Sequence, residues 1–272
     1  MTRTPRLHGV SHLQLHGRPV VLNTGFAYPA FMRRWPRYNA PLVELVNAVR
    51  ARRGGPLTIV DVGAAIGDTV LLLAERAEAS HDRFICIEPD PEFHSYLGRN
   101  LAHLTDVEIL PTMLSDSEDV VPAPVRTHSG TASPQGATTV PALALDTVLR
   151  GQRVDVIKID TDGFDGKVLA GSVDTLSRWS PAVIFEWHPI LLATCGQDPE
   201  RPFEVLTAAG YETFVWFTKH GDLSHVEHPH DPARTDLLRQ MCIDDDGPEP
   251  DWHFDVVAVP PGLAAIVRDL AP

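Results

Sequence analysis

No apolar run in this sequence approaches the roughly 20 residues that a bilayer-spanning helix needs. The polar start Met1-Thr2-Arg3-Thr4-Pro5-Arg6 lacks the apolar centre of a secretory signal. Cysteine is scarce: Cys86, Cys195 and Cys242 are three in 272 residues and lie far apart. That scarcity excludes a disulfide scaffold, and a reduced, cytoplasmic setting is expected. Positive charge is also short, with 23 Lys and Arg against 36 Asp and Glu, a formal net charge of −13. Such a surface repels nucleic acid and anionic membranes, so the expected partner is a small molecule. There is no internal repeat, and no pattern fixes an oligomeric state.

What is present is material for a large core. At 43% hydrophobic residues, 272 residues suffice for one α/β domain with a modest extension. Residues 1 to about 37 read as a ribbon or lid, with His8, His12 and His16 among apolar neighbours and the aromatic group Phe26, Tyr28, Phe31 and Trp35. Pro41 opens a helix that Gly54-Gly55-Pro56 stops. Residues 1–53 are therefore expected as an N-terminal extension on the lid or substrate side, and 54–272 as the main domain. From Leu57 onward strands alternate with helical patterns: 57–61, 84–88, 107–111, 154–160 and 182–187 read as strands. This alternation implies a parallel sheet covered on both faces. Residues 116–141 read as loop with a short strand or two.

Two more β-rich runs, 211–217 and 254–259, flank a polar insertion. The insertion holds His220, His225, His228 and His230, then Asp244-Asp245-Asp246. Its His-x-x-His-x-His spacing permits a metal site, but Pro229, Pro232 and the acidic run favour a solvated loop. Trp187, Trp216, Phe217 and Trp252 are either an apolar wall for a ligand or core.

The densest information lies at Thr58-Ile59-Val60-Asp61-Val62-Gly63-Ala64-Ala65-Ile66-Gly67-Asp68-Thr69, where a β-branched strand enters a small-residue turn that opens a Leu-rich helix. Gly63 and Gly67 let the backbone pass close to a ligand. One βα unit later, Ile87-Glu88-Pro89 ends a strand with a carboxylate that can hold both hydroxyls of a ribose. Together they indicate an adenosine-containing cofactor. A pyrophosphate requires uncrowded amides, whereas Asp61 and Asp68 flank this turn with negative charge. They suit S-adenosylmethionine, which carries an ammonium and a sulfonium and no phosphate. Helix capping is the alternative role for either aspartate.

Those segments, with Ile157-Lys158-Ile159-Asp160-Thr161-Asp162-Gly163-Phe164-Asp165, Val168-Leu169-Ala170-Gly171 and Pro181-Ala182-Val183-Ile184-Phe185-Glu186, occur in an order that resembles the FkbM-type methyltransferases over about residues 57–190. Asp162 and Asp165 stand where that family usually carries Glu. The resemblance implies a Rossmann-like class I methyltransferase: a mostly parallel seven-stranded sheet whose antiparallel last strand is inserted between its predecessors. It also implies O-methylation of a polyketide or sugar hydroxyl. By the same resemblance Asp61, Gly63, Ala64, Gly67, Asp68 and Thr69 shape the methionine end of the cofactor site. Glu88 and Pro89 adjoin the ribose, Ser115 and Asp116 the adenine, and Asp160 the reacting end.

Open α/β sheets bind ligands at the carboxyl ends of their strands, which places chemistry near Asp160, Asp162, Glu186 and His188. If the strand continues through Asp162, Asp160 and Asp162 share one side. Methyl transfer to an alcohol needs alignment and one base. His188 is the expected base and Asp160 the alternative, with Glu186 beside them, and backbone capping before Pro189 is the structural alternative for His188. Asp160, Asp162 and His188 also form a candidate Mg²⁺ set, although metal-free transfer is the expectation. Two rival classes share parts of this pattern, an NAD-dependent oxidoreductase and a non-catalytic S-adenosylmethionine-binding protein.

Overall fold

Strand segments of four to six residues, most of them apolar, build the sheet of this protein. The computed structural model describes residues 10–24, 26–77, 81–126, 132–243 and 252–271. The chain begins with a hairpin, β1 (Val10–Leu15) and β2 (Arg18–Asn23), followed by α1 (Tyr28–Arg34) and α2 (Ala40–Arg53). Alternation then gives β3 (Thr58–Val62), α3 (Asp68–Arg76), β4 (Arg83–Ile87), α4 (Pro91–Asn100) and β5 (Val107–Leu110). An excursion of short strands follows: β6 (Met113–Leu114), β7 (Asp119–Pro122), β8 (Val125–Arg126), β9 (Ala132–Ser133) and β10 (Thr139–Leu143). Next come α5 (Leu145–Leu149), β11 (Val156–Ile159), α6 (Asp165–Ala170), α7 (Val173–Trp179), β12 (Ala182–Trp187), α8 (Pro189–Thr194) and α9 (Arg201–Ala208). The chain closes with β13 (Thr213–Thr218), β14 (Leu223–Glu227), α10 (Pro232–Ile243), β15 (Phe254–Val259) and α11 (Val267–Leu270).

The central sheet has the order β14-β13-β15-β12-β11-β3-β4-β5. From β12 to β5 neighbours run parallel. β15 is antiparallel to both β12 and β13, so the last strand is inserted as a class I methyltransferase sheet requires. Alternate residues feed opposite faces: Ile59 and Val156 join one core, while Val60, Val62, Ile157 and Ile159 join the other. Cys86 is fully buried in β4 as a small hydrophobe. Among the described residues no helix is long and apolar enough to cross a membrane.

The polar insertion is not a loop over its described residues. β14 pairs with β13 and adds an eighth strand at the edge, and α10 follows it. An edge strand exposes one side to water, so Leu223-Ser224-His225-Val226-Glu227 reads as polar although it is β-structure. Asp244-Asp245-Asp246 lie outside the described residues. Trp187, Trp216 and Phe217 are fully buried in the core and do not form a ligand wall.

Asn100 stitches the N-terminal hairpin to the sheet domain, beside a 3.2 Å contact of His16 with Glu75 of α3. Asn100 accepts from Val21 N–H at 2.8 Å and donates to the carbonyls of Val21 and Ile66 at 2.9 and 2.8 Å. Leu15, Val20 and Leu22 are buried in the same core as β3 and β4 residues. Trp35 stacks on His220 with ring centroids 4.1 Å apart, which fixes the end of α1 to the turn after β13.

Candidate functional site

The turn after β3 is held by its own backbone. Gly63 and Gly67 have φ of +78° and +86°, and a Cβ on Gly63 would lie 1.9 Å from the carbonyl oxygen of Asp160. Only glycine permits the ends of β3 and β11 to meet there. Gly67 serves a different purpose, because a Cβ there would lie 3.0 Å from the side chains of Leu97 in α4 and Leu101 at its C-cap. The N–H groups of Gly63 and Ala64 both donate to Ile87 carbonyl, at 3.0 and 3.2 Å.

These strand ends open on a cavity of about 520 Å³. Of the expected cofactor residues, Gly63, Asp68, Thr69, Glu88, Pro89 and Asp160 line it. Asp162, Glu186 and His188 line it too. Asp61, Ala64, Gly67, Ser115 and Asp116 are not in its wall. Ser115 is buried and donates to the exposed Asp116 at 3.0 Å, a local turn, while Thr112, Met113 and Leu114 supply the wall instead. Phe26, Tyr28, Phe31 and Tyr38 of the N-terminal extension cover the cavity's other side.

Charge is distributed unevenly in this wall. Glu88 is buried and accepts from the N–H groups of Ala65 and Asp90 at 2.9 and 2.8 Å. Burial nevertheless pushes its carboxyl up to about 7. Asp68, 8% exposed in the first turn of α3, is likewise pushed by burial to about 7. Asp61 does not face the cavity; Lys158 in β11 approaches it at 3.1 Å. The lysine also donates to Gly63 carbonyl at 3.1 Å and lies 3.5 Å from Asp160. Burial works to lower the Lys158 pKa, but Asp61, Asp160 and Asp68 together hold it well above the ordinary range. Sequence reasoning gave Lys158 no role, although a lysine inside an apolar central strand was a usable signal.

The acceptor side departs from simple strand alternation. β11 ends at Ile159, and Asp162 is left-handed with φ of +50°, so Asp160 and Asp162 reach the wall through a turn. Asp165 is buried behind it, accepting from Thr161 Oγ1 at 3.1 Å, and burial pushes it up to about 7. At the end of β12, His188 is the N-cap of α8, with Nδ1 accepting from Leu191 N–H at 3.4 Å. His253, which sequence reasoning missed, lines the cavity as well; its Nε2 lies 3.4 Å from Glu186 Oε1. Among the described residues, no three His, Cys, Asp or Glu side chains are grouped to hold a metal ion.

The wall fits an S-adenosyl ligand by its donor set. Asp68 offers a carboxylate to an ammonium, Glu88 keeps acceptor capacity for ribose hydroxyls, and apolar Ile87, Phe93, Met113 and Leu114 suit a purine face.

The methyltransferase FkbM domain matches residues 61–213 of this chain. No curated protein matches it. Among solved structures, the methyltransferase FkbM from Methylobacillus flagellatus KT is 14% identical, with 85% of this chain and 58% of that one covered and a TM-score of 0.45. The SAM-dependent methyltransferase from Agrobacterium tumefaciens is 11% identical over 95% of this chain and 73% of that one, with a TM-score of 0.48. The plantazolicin methyltransferase BamL, solved with SAH, is 9% identical over 86% and 89%, with a TM-score of 0.46. With the domain match spanning more than half of the chain, this protein belongs to the FkbM family of S-adenosylmethionine-dependent methyltransferases.

Proposed function

We propose that this protein is an O-methyltransferase acting on a hydroxyl of a small natural product, a polyketide or sugar moiety. One observation carries the reading. One cavity is lined by Asp68 and Glu88 together with Asp160, Glu186, His188 and His253. Bound S-adenosylmethionine supplies an electrophilic methyl group. The chain's part is to orient it, exclude water and accept a proton. Asp68 would hold the ammonium, Glu88 the ribose, and the aromatic side chains of Phe26, Tyr28, Phe31 and Tyr38 would shield the reacting centre from water. An alcohol remains protonated at neutral pH, so its oxygen needs a neighbouring proton acceptor during attack. The carboxylates and imidazoles of Asp160, Glu186, His188 and His253 are that class of group.

The inserted antiparallel β15 and the FkbM domain set aside the nicotinamide alternative. The test is methyl transfer from isotopically labelled S-adenosylmethionine to a panel of hydroxylated lactones and glycosides, read by mass spectrometry. A labelled O-methyl product is expected, and turnover is expected to survive extensive chelation. Binding of S-adenosylhomocysteine without methylation of any hydroxyl would leave the non-catalytic binding protein; loss on chelation with recovery on Mg²⁺ would show metal-dependent transfer.

A further inference from the structure

We propose that the hydroxyl of Tyr38 and the amide of Asn39, both in the N-terminal extension, join Thr69 in holding the carboxylate of the cofactor's methionine end. This rests on the reading of Asp68 as the partner of the cofactor's ammonium and extends it to the group borne by the same carbon.

That carboxylate needs hydrogen-bond donors, because an anion taken out of water without them is costly. One carbon joins it to the ammonium, so its donors must lie beside Asp68. The glycine turn does not supply them. The N–H groups of Gly63 and Ala64 donate to Ile87 carbonyl, that of Ala65 to Glu88 and that of Gly67 to Ala64 carbonyl. Lys158 is held by Gly63 carbonyl at 3.1 Å and by the carboxylates of Asp61 and Asp160 at 3.1 and 3.5 Å. Thr161 donates to Asp165 at 3.1 Å.

The extension brings further donors to Asp68. Its hairpin meets α3, the helix that Asp68 opens, through His16, whose Nδ1 lies 3.2 Å from Glu75 Oε2 and whose Nε2 lies 3.0 Å from Tyr28 Oη. With Nδ1–H toward the carboxylate, Nε2 accepts from Tyr28, so the Tyr28 proton is committed to His16. The Tyr38 ring packs against Tyr28 and Phe31, each with centroids 5.7 Å away. Both tyrosines line the cavity with Asp68 and Thr69, and both feel the Asp68 charge. Tyr38 Oη bonds to no protein group among the described residues, which leaves its proton for a ligand.

Asn39 stands at the N-cap of α2 with φ of +61°, a left-handed conformation that asparagine tolerates, yet its side chain makes no capping bond. Pro41 at the second helical position removes one of the amides such a cap would use. The side chain bonds Tyr28 instead and lines the cavity with Thr69. Because the Tyr28 proton is committed, Asn39 donates in that bond, and its second N–H remains for the cavity. Tyr38, Asn39 and Thr69 thus give three uncharged donors to the wall that holds Asp68. Uncharged donors suit this place, since a cation here would pair with Asp68 and displace the ammonium.

The test is calorimetry with S-adenosylhomocysteine and with its decarboxylated analogue, an aminopropyl thioether of adenosine, on wild type, Tyr38→Phe and Asn39→Asp. The analogue keeps the ammonium, ribose and adenine and lacks only the carboxylate. The ratio of its dissociation constant to that of S-adenosylhomocysteine therefore reports the carboxylate's contacts, and a variant that merely loosens the fold weakens both ligands and leaves the ratio in place. Tyr38→Phe is expected to weaken S-adenosylhomocysteine about tenfold and the analogue less than about twofold, as the loss of a hydrogen bond to a charged group requires. Asn39→Asp keeps the backbone conformation and replaces the donor by an anion, so it is expected to lower the ratio at least as far. Ratios within about twofold of wild type in both variants overturn the assignment, whatever the absolute affinities. Asp68→Asn tests the parent reading separately. It is expected to weaken both ligands about tenfold. Unchanged affinity for both would overturn the ammonium's place, while the ratios in the other two variants still decide the roles of Tyr38 and Asn39.

Discussion

Carboxylates gather in two regions of this protein, and their surroundings differ. At the cavity end of the parallel strands, Asp61, Asp68, Asp160 and Asp255 surround Lys158, and Glu186 and Asp165 lie near Asp160. There burial outweighs the cation that Asp68 and Asp255 share, and Asp68, Asp165 and Asp255 are each pushed up to about 7. At the antiparallel edge, Glu227 is 2% exposed but is met by His225 at 3.3 Å and His230 at 3.0 Å, with Arg234 at 3.8 Å. His230 reaches Glu200 with its other nitrogen at 2.9 Å and stacks on Phe203 at 4.2 Å. Despite burial, these histidines hold Glu227 down at about 2, and the two carboxylates lift His230 to about 9. The edge cluster balances its own charge and ties β14 and α10 to α9. The cavity cluster leaves negative charge that a cationic ligand can match.

The comparison breaks most directly at its cations. Lys158→Met would leave Asp61 buried and unpaired, and a loss of about 3–5 kcal/mol in folding stability is expected by urea denaturation. Adding Asp61→Leu is expected to restore most of it, since the pair stabilises less than well-packed apolar residues can. A small loss for Lys158→Met alone would show that Asp61 folds in its neutral form. At the edge, His230→Ala is expected to cost about 3 kcal/mol by the same measurement, with cofactor affinity unchanged. Altered affinity there would mean that the edge belongs to the ligand site.

At the cavity, Glu88→Ala is expected to weaken S-adenosylhomocysteine binding by roughly 1.5–3 kcal/mol in calorimetry, the range for a hydrogen bond to a charged group. Unchanged affinity would place the ribose elsewhere. The smallest effect is the pH dependence of melting. His230 is raised from 6.5 to about 9, so its stabilisation is full below pH 6.5 and is lost as pH rises through 9. Melting temperature should therefore fall over that window in wild type and less so in His230→Gln. Equal slopes would remove His230 as the source.

Legibility in the sequence followed contiguity. β3, β4, β11 and β12 were readable because apolar, β-branched runs end in turn residues, and the glycine turn and Glu88 were readable as a pair because each directly follows its strand. β14 was missed because an edge strand alternates only weakly, and α10 because Leu237, Met241 and Ile243 face solvent and blur its apolar stripe. The roles of Lys158 and His253 depend on partners distant in the chain. Lys158 meets Asp61 through the parallel pairing of β11 with β3, and His253 meets Glu186 through β15. Ser115 and Asp116 were assigned by family position, whereas Thr112, Met113 and Leu114 line the cavity.

The central claim is that the cavity's surplus carboxylates wait for the cationic end of the cofactor. Calorimetry with S-adenosylhomocysteine from pH 6 to 8 tests it most directly. Asp68 and Glu88 sit at about 7 in the free protein, and binding to an ammonium and ribose favours their ionised forms. Each carboxylate that ionises on binding should make affinity about tenfold weaker at pH 6 than at pH 8, with protons released to buffer. Asp68→Asn should remove its share of that slope. An affinity that is flat across this range, with no proton release, would contradict the account.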